Sequence, residues 1–240
     1  MNSKRIRYID GYPDFIANNL PGFQNILETG KNEDGSKLSA SDRVEYERIV
    51  ADAKLIDTEY KRARVTSLNV VFDDKLTLHS AGRQIELLRL GHGNTEGDVV
   101  MWLPEERIVA TGDLIVFPTP YAFNVPPRAW TESLQKLNAL EYRVLVPGHG
   151  EVQRDMQYVD LNIEAAKSIA DQRDSLLSQD LSHKEVQAQL DFSAFEARFT
   201  GSDEYIAGYC EAYFETPFRK AAIKALSGEP MVRIEPMATE

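Results

Sequence analysis

Three short polar segments, each containing glycine, close β-like runs in one stretch of this chain: GHGNTEGD at 91–98, TGD at 111–113 and PGHG at 147–150. Functional groups on strand-end loops are where a rigid sheet can aim them at a common point. The surrounding pattern fits that requirement. DVVMWLP and RIVATGDLIVF flank PEER, a polar link of hairpin length, and predict two antiparallel strands. RVLVPGHG reads as a further strand ending in a tight turn, and VTSLNVVF, KLTLHS and RQIELLRLG as the start of the sheet.

Helical patterns lie on either side. From Asp42 to Tyr60 the apolar residues Val44, Ile49, Ala53, Ile56 and Tyr60 recur mostly at three- and four-residue steps, with Ser41 or Asp42 as the cap. Before this helix, Gly11 and Pro13 interrupt an apolar pattern, and GKNEDGS at 30–36 reads as a solvated turn. Within PPRAWTESLQKLNAL, Trp130, Leu134, Leu137 and Leu140 share one helical face. After His149 the chain reads as mainly helical, through AAKSIADQRDSLL, KEVQAQL and an aromatic-rich segment at 204–226. The division is a helical connecting segment over 1–63, a sheet region with its loops over 64–152, and a helical extension over 153–240. No repeat or clear linker interrupts it, so one mixed domain with helices at both ends is the economical reading, with two subdomains as the alternative.

At 42% hydrophobic residues the 240-residue chain can bury a substantial core. A formal net charge of −11 argues against capture of nucleic acid or of an anionic membrane and favours small molecules or proteins as partners. No apolar run of about 18 residues exists, and MNSKRIRYIDGYPDF has no signal-peptide core, so the chain as written is expected in the cytoplasm. Cys210 is the single cysteine, which excludes an intrachain disulfide and a cysteine-rich zinc site; its apolar context predicts an inert buried thiol.

Imidazole and carboxylate are the ligands that zinc, manganese and iron accept, and His92, Asp113 and His149 occupy the three loops. His79 and His183 lie outside them and read as structural. Phe117, Tyr121 and Phe123 follow TGD and suit either a substrate wall or the packing of a proline-rich loop. The glycines of GHGNTEGD superficially suggest a dinucleotide loop, but the last gap is one residue too long and DVVMWLP reads as strand where a helix is needed.

In order and spacing, the stretch from Leu90 to Val152 resembles the second half of the metallo-β-lactamase superfamily, which runs His-Thr-x-Gly-Asp, a hairpin, Thr-Gly-Asp, a helix and Pro-Gly-His-Gly. The resemblance implies an α/β (α+β) fold, the second half of an αββα sandwich with additional helices at both ends. It also implies a metal-dependent hydrolase, with zinc (two ions in a complete member) or else manganese or iron, activating water against an ester, lactone, lactam or thioester of a small-molecule substrate. By the same resemblance Asp113 takes the bridging metal-carboxylate position and so the catalytic role, and His149 that of the last histidine ligand.

The sequence departs from the pattern in two places. The ligand preceding Thr is here Asn94, with His92 two residues earlier, and either of them is a candidate for the third metal position. The motif His-x-His-x-Asp-His is absent, since the four histidines stand at 79, 92, 149 and 183. Two readings follow: a site incomplete as given, in a chain truncated relative to the family, or a noncatalytic degenerate module for binding or assembly. A half-sandwich also leaves an apolar sheet face, which predicts self-association or a covering partner.

Overall fold

A computed structural model of the chain describes residues 11–32, 35–60, 70–95, 97–201 and 203–227. They belong to two compact units, one reaching to residue 70 and one running from residue 71.

The first unit holds α1 (Gly11–Thr29) and α2 (Ala40–Tyr60). Pro13 does not interrupt α1, because it falls in the first turn, where a missing N–H costs no helical hydrogen bond. Between the helices, Lys31 and Lys37 form an antiparallel bridge and the Asn32 amide donates to Ser36 Oγ at 2.9 Å. The cap of α2 is Ser39, and not Ser41 or Asp42: its hydroxyl accepts from the Asp42 amide at 3.1 Å. The inward stripe of α2 also shifts from the expected one, to Tyr46, Ile49, Val50, Ala53 and Ile56, leaving Val44 67% exposed. Tyr46 stacks on Phe23 of α1, with centroids 5.5 Å apart.

The second unit is built on a five-stranded sheet in sequential order: β1 (Lys75–Ser80), β2 (Arg83–Leu88), β3 (Val100–Leu103), β4 (Ile108–Val116) and β5 (Val144–His149). Of the expected strand VTSLNVVF, residues 65–69 lie outside the described residues, and 70–72 precede β1 without strand pairing. The first three pairings are antiparallel. Ala81 and Gly82 join β1 to β2 with positive φ of 50° and 78°, the two-residue turn whose twist matches a hairpin. PEER joins β3 to β4 as expected. β5 is parallel to β4, so the chain must cross over to reach it, which it does through α3 (Pro127–Asn138).

Pleating gives the sheet two unlike faces. Trp102, Val109 and Leu145 lie in register on one face and are buried with Val100 beneath Trp130, Leu134 and Leu137 of α3. Leu140, expected on the α3 stripe, lies beyond the helix end and is partly buried. On the opposite face Leu76, Leu87, Met101, Ala110 and Val146 form one apolar row across all five strands. None of these five belongs to the core, and Met101 and Val146 are 40% and 38% exposed.

Helices α4 (Gln157–Leu177), α5 (His183–Gln189), α6 (Ser193–Thr200), α7 (Glu204–Tyr209) and α8 (Thr216–Lys224) follow, with a π-helical segment, Cys210–Glu215, joining the last two. Their apolar faces extend the same core through Val159, Ile169, Phe192, Phe214 and Phe218. Cys210 is fully buried there, and burial pushes its thiol up to about 12, which leaves it protonated and inert. Among the described residues no helix is long and apolar enough to cross a membrane.

Candidate functional site

Asp113 and His149 are 36 residues apart in sequence, by subtraction, and meet because β4 and β5 run parallel and end together. The register shifts near these ends: three residues of β4, Asp113 to Ile115, stand against the single Gly148 between the pairs Gly112–Pro147 and Val116–His149. Such a bulge re-aims the side chain it carries. The bulge is pinned from both sides. Phe117 N donates to His149 O at 3.1 Å, and the buried Tyr158 hydroxyl of α4 donates to Val116 O at 2.6 Å. Asp113 Oδ1 and His149 Nε2 consequently lie 3.5 Å apart, with the side chains 47% and 58% exposed.

Gly148 makes this approach possible. A Cβ on Gly148 would stand 2.1 Å from Asp113 Oδ1 and 2.7 Å from the Gly112 carbonyl carbon, so any larger residue must move the backbone of β4. The glycine of PGHG therefore clears the space that the Asp113 carboxylate occupies.

The loop at 91–98 is organised by a residue that sequence reasoning did not single out. Asp98 accepts from the Asn94 amide at 2.8 Å, the Thr95 amide at 3.2 Å and the Thr95 hydroxyl at 2.5 Å. Burial nevertheless holds its carboxyl above the ordinary range, against the pull of those bonds, and the charge of Asp113 adds to the rise. We expect Asp98→Ala to release the Asn94 and Thr95 amides: hydrogen exchange at both should accelerate roughly tenfold or more, the cost of at least one lost bond, while Val109 in β4 stays protected. Unchanged exchange at Asn94 and Thr95 would show that the loop holds itself without Asp98.

Asn94 and His92 differ in placement. The Asn94 Nδ2 donates to the Asp113 carbonyl at 2.8 Å, which seats the amide beside the bulge. Its Oδ1 is buried and has no partner among the described residues. His92 is half-buried, and among the described residues no three His, Cys, Asp or Glu side chains converge, so His92 does not complete a group with Asp113 and His149.

Aromatic residues border the pair. The Tyr121 ring lies 5.5 Å from the His149 ring and 6.1 Å from that of Phe123, and burial raises the Tyr121 phenol pKa. Phe117 turns edge-on to Tyr158, at 5.0 Å, and also lines the cleft that contains His149. Three tyrosines of the C-terminal extension, Tyr205, Tyr209 and Tyr213, stand beside Tyr121; their four-residue spacing is the signal by which the sequence could have disclosed them.

Residues 26–149 match the family model of the metallo-beta-lactamase superfamily. The chain belongs to the metallo-beta-lactamase superfamily. It is similar to the type 2 metallo-beta-lactamase of Bacteroides fragilis, with 30% identity over 86 residues, covering 33% of this chain and 34% of that enzyme. Among solved structures it is similar to a metallo-beta-lactamase from Pontibacter korlensis, with 22% identity, a TM-score of 0.39, and coverage of 47% of this chain and 54% of that one. A second is the stereoselective inverting sec-alkylsulfatase of a Pseudomonas species, with 15% identity, a TM-score of 0.46, and coverage of 52% and 22%. The chain thus spans about a third of the length of the Bacteroides enzyme and about half of the Pontibacter one. With TM-scores below 0.5, the superpositions add nothing to the family assignment, which rests on the matched residues.

Members of the superfamily typically bind metal ions such as zinc, so the Asp113–His149 pair has a physical test. Ligand bonds of about 2.1 Å at tetrahedral angles place two ligands of one ion about 3.4 Å apart. The observed 3.5 Å fits two corners of such a shell. The Asn94 Oδ1, without a partner among the described residues, is a hard carbonyl donor, weaker than imidazole.

Proposed function

We propose that this chain carries the Asp113–His149 portion of a metal-dependent hydrolase site. The observation that carries this reading is the 3.5 Å separation of a carboxylate and an imidazole at the ends of adjacent parallel strands, each in the position that the superfamily's ligand pattern assigns. Asp113 and His149 would hold zinc, with manganese or iron as substitutes, and Asn94 Oδ1 or His92 would supply a third donor. A bound zinc supplies a water acidified toward neutrality and a Lewis acid for a carbonyl oxygen. The chain's own contribution is positional: Gly148 clears room for the carboxylate, and Asp98 shapes the loop carrying Asn94. An ester, lactone, lactam or thioester of a small molecule is the substrate class. The remaining ligands and the water-orienting aspartate belong to the His-x-His-x-Asp-His motif, which no pair of this chain's four histidines can form. A segment bearing that motif would come with the half-sandwich that covers the apolar row of Leu76, Leu87, Met101, Ala110 and Val146; without it, a second copy covers the row.

The test is zinc titration of the full chain. We expect weak binding, lost on dialysis against a chelator and abolished by Asp113→Ala or His149→Ala, because tight sites need three or four protein ligands. Nearly stoichiometric zinc after such dialysis would mean that the site is more complete than two ligands, and no zinc at any concentration would remove the metal reading.

A second reading, a noncatalytic module for binding or assembly, is favoured by one observation: among the described residues no three His, Cys, Asp or Glu side chains converge. It shares the exposed apolar row but predicts no hydrolysis after reconstitution.

A further inference from the structure

The C-terminal extension does more than enlarge the core, since it also builds one wall of a cleft at His149. The cleft has a volume of about 250 Å³. Residues 116–119 and Tyr121 line it together with Tyr205, Ile206 and Tyr209 of the extension and with His149. Among the described residues no Lys, Arg, Asp or Glu side chain lines it.

The tyrosine wall is continuous. Tyr205 and Tyr209 lie 5.0 Å apart, Tyr209 and Tyr213 stack at 5.1 Å, Tyr213 and Tyr121 stack at 5.1 Å, and Tyr121 reaches His149 at 5.5 Å. The π-helical segment is what ties this ladder to the site. The Tyr213 carbonyl accepts from the Ala122 amide at 3.0 Å, so the extension and the loop after β4 are joined through the backbone beside the cleft. π-Helical turns inside helices occur frequently at functional sites. Nor is the ladder a buried core: Tyr205 is 69% exposed and Tyr209 37%. Large rings held at the surface beside an acid–imidazole pair point to a ligand face.

We propose that this cleft binds the uncharged apolar acyl or aryl end of the substrate, with the scissile carbonyl directed to Asp113 and His149. The choice of a neutral group follows from the lining, in which aromatic and aliphatic carbon predominates and, His149 apart, no described side chain is charged near neutral pH. The position of the carbonyl rests on the hydrolase reading; the apolar binding does not.

The experiment follows binding of acetamide, butanamide, hexanamide and octanamide to the full chain in chelator, by chemical-shift titration of the tyrosine rings and of His149. Each buried methylene should tighten binding roughly fourfold, so octanamide should exceed acetamide by well over tenfold. Tyr209→Ala should flatten that dependence and Tyr209→Phe should keep it, with circular-dichroism melting curves matched to the parent to exclude unfolding. Octanamide binding no tighter than acetamide, an unaltered dependence in a folded Tyr209→Ala, or octylammonium binding more tightly than octanamide would overturn the proposal. Because metal is excluded, length dependence without any zinc binding in the separate titration would leave the cleft standing and remove the hydrolase reading. Zinc binding without length dependence would do the reverse.

Discussion

Asp113→Ala is expected to cut metal-dependent turnover at least roughly a hundredfold once the chain is supplied with a segment bearing the His-x-His-x-Asp-His motif, fused or separate. The loss is large because one carboxylate serves several ends. It stands 3.5 Å from His149, on a bulge that two neighbouring elements hold in place, so removing it takes away a ligand and the geometry of its partner together. His149→Ala should do likewise. His183→Ala should be nearly silent, because His183 opens α5 and lies outside the three loops that carry the candidate ligands. His92→Ala and Asn94→Ala, assayed side by side, decide which residue faces the metal. Asn94→Ala is expected to cost more, since its amide already donates to the Asp113 carbonyl. The assay is a panel of esters, lactones and lactams with added zinc or manganese, before and after chelation. A reconstituted protein that binds metal yet hydrolyses nothing, or that keeps full activity without Asp113, would sink the hydrolase assignment in favour of the binding module.

The second large effect is on stability. Trp130→Ala should destabilise the sheet-bearing unit by about 3–5 kcal/mol, the range for truncating a buried large aromatic. Trp130 is 1% exposed and sits edge-on to Phe218, with centroids 5.7 Å apart, so it joins α3 to α8 as well as filling space. The cavity left behind cannot close without moving both helices, and denaturant unfolding should report the loss as a lower midpoint with an unchanged slope. Trp130→Phe should cost markedly less. If Trp130→Ala shifts the midpoint negligibly, the contact between α3 and α8 is dispensable for folding.

Local pattern determined much of this protein. The alternation and the link PEER specified the β3–β4 hairpin, because strand pairing across a short turn depends on neighbouring residues. The face of Trp130, Leu134 and Leu137 specified α3, since helical periodicity is a property of a single turn and its neighbours. The order of the loops containing Asn94, Asp113 and His149 pointed to the superfamily for the same reason: spacing within one segment is carried by the chain itself. Elsewhere the local reading missed by a turn. Ser39 caps α2 in place of Ser41 or Asp42, and Val44 faces solvent, because the phase of a polar helix is set by what it packs against, here Phe23 on Tyr46.

Tertiary structure alone decided the rest. Nothing near Asp113 in sequence announces that three residues of β4 will stand against Gly148; that mismatch exists only once β4 and β5 lie side by side. Nothing local assigns Asp98 to the Asn94 and Thr95 amides, or turns the side-chain nitrogen of Asn94 to the Asp113 carbonyl. The tyrosine ladder is the clearest case. Spacing put Tyr205, Tyr209 and Tyr213 along one side of a helix, but only the packing of the C-terminal extension against the loop after β4 brought that side to Tyr121 and His149. Sequence encodes which side chains can share a face, and the long-range burial of apolar surface chooses which faces meet.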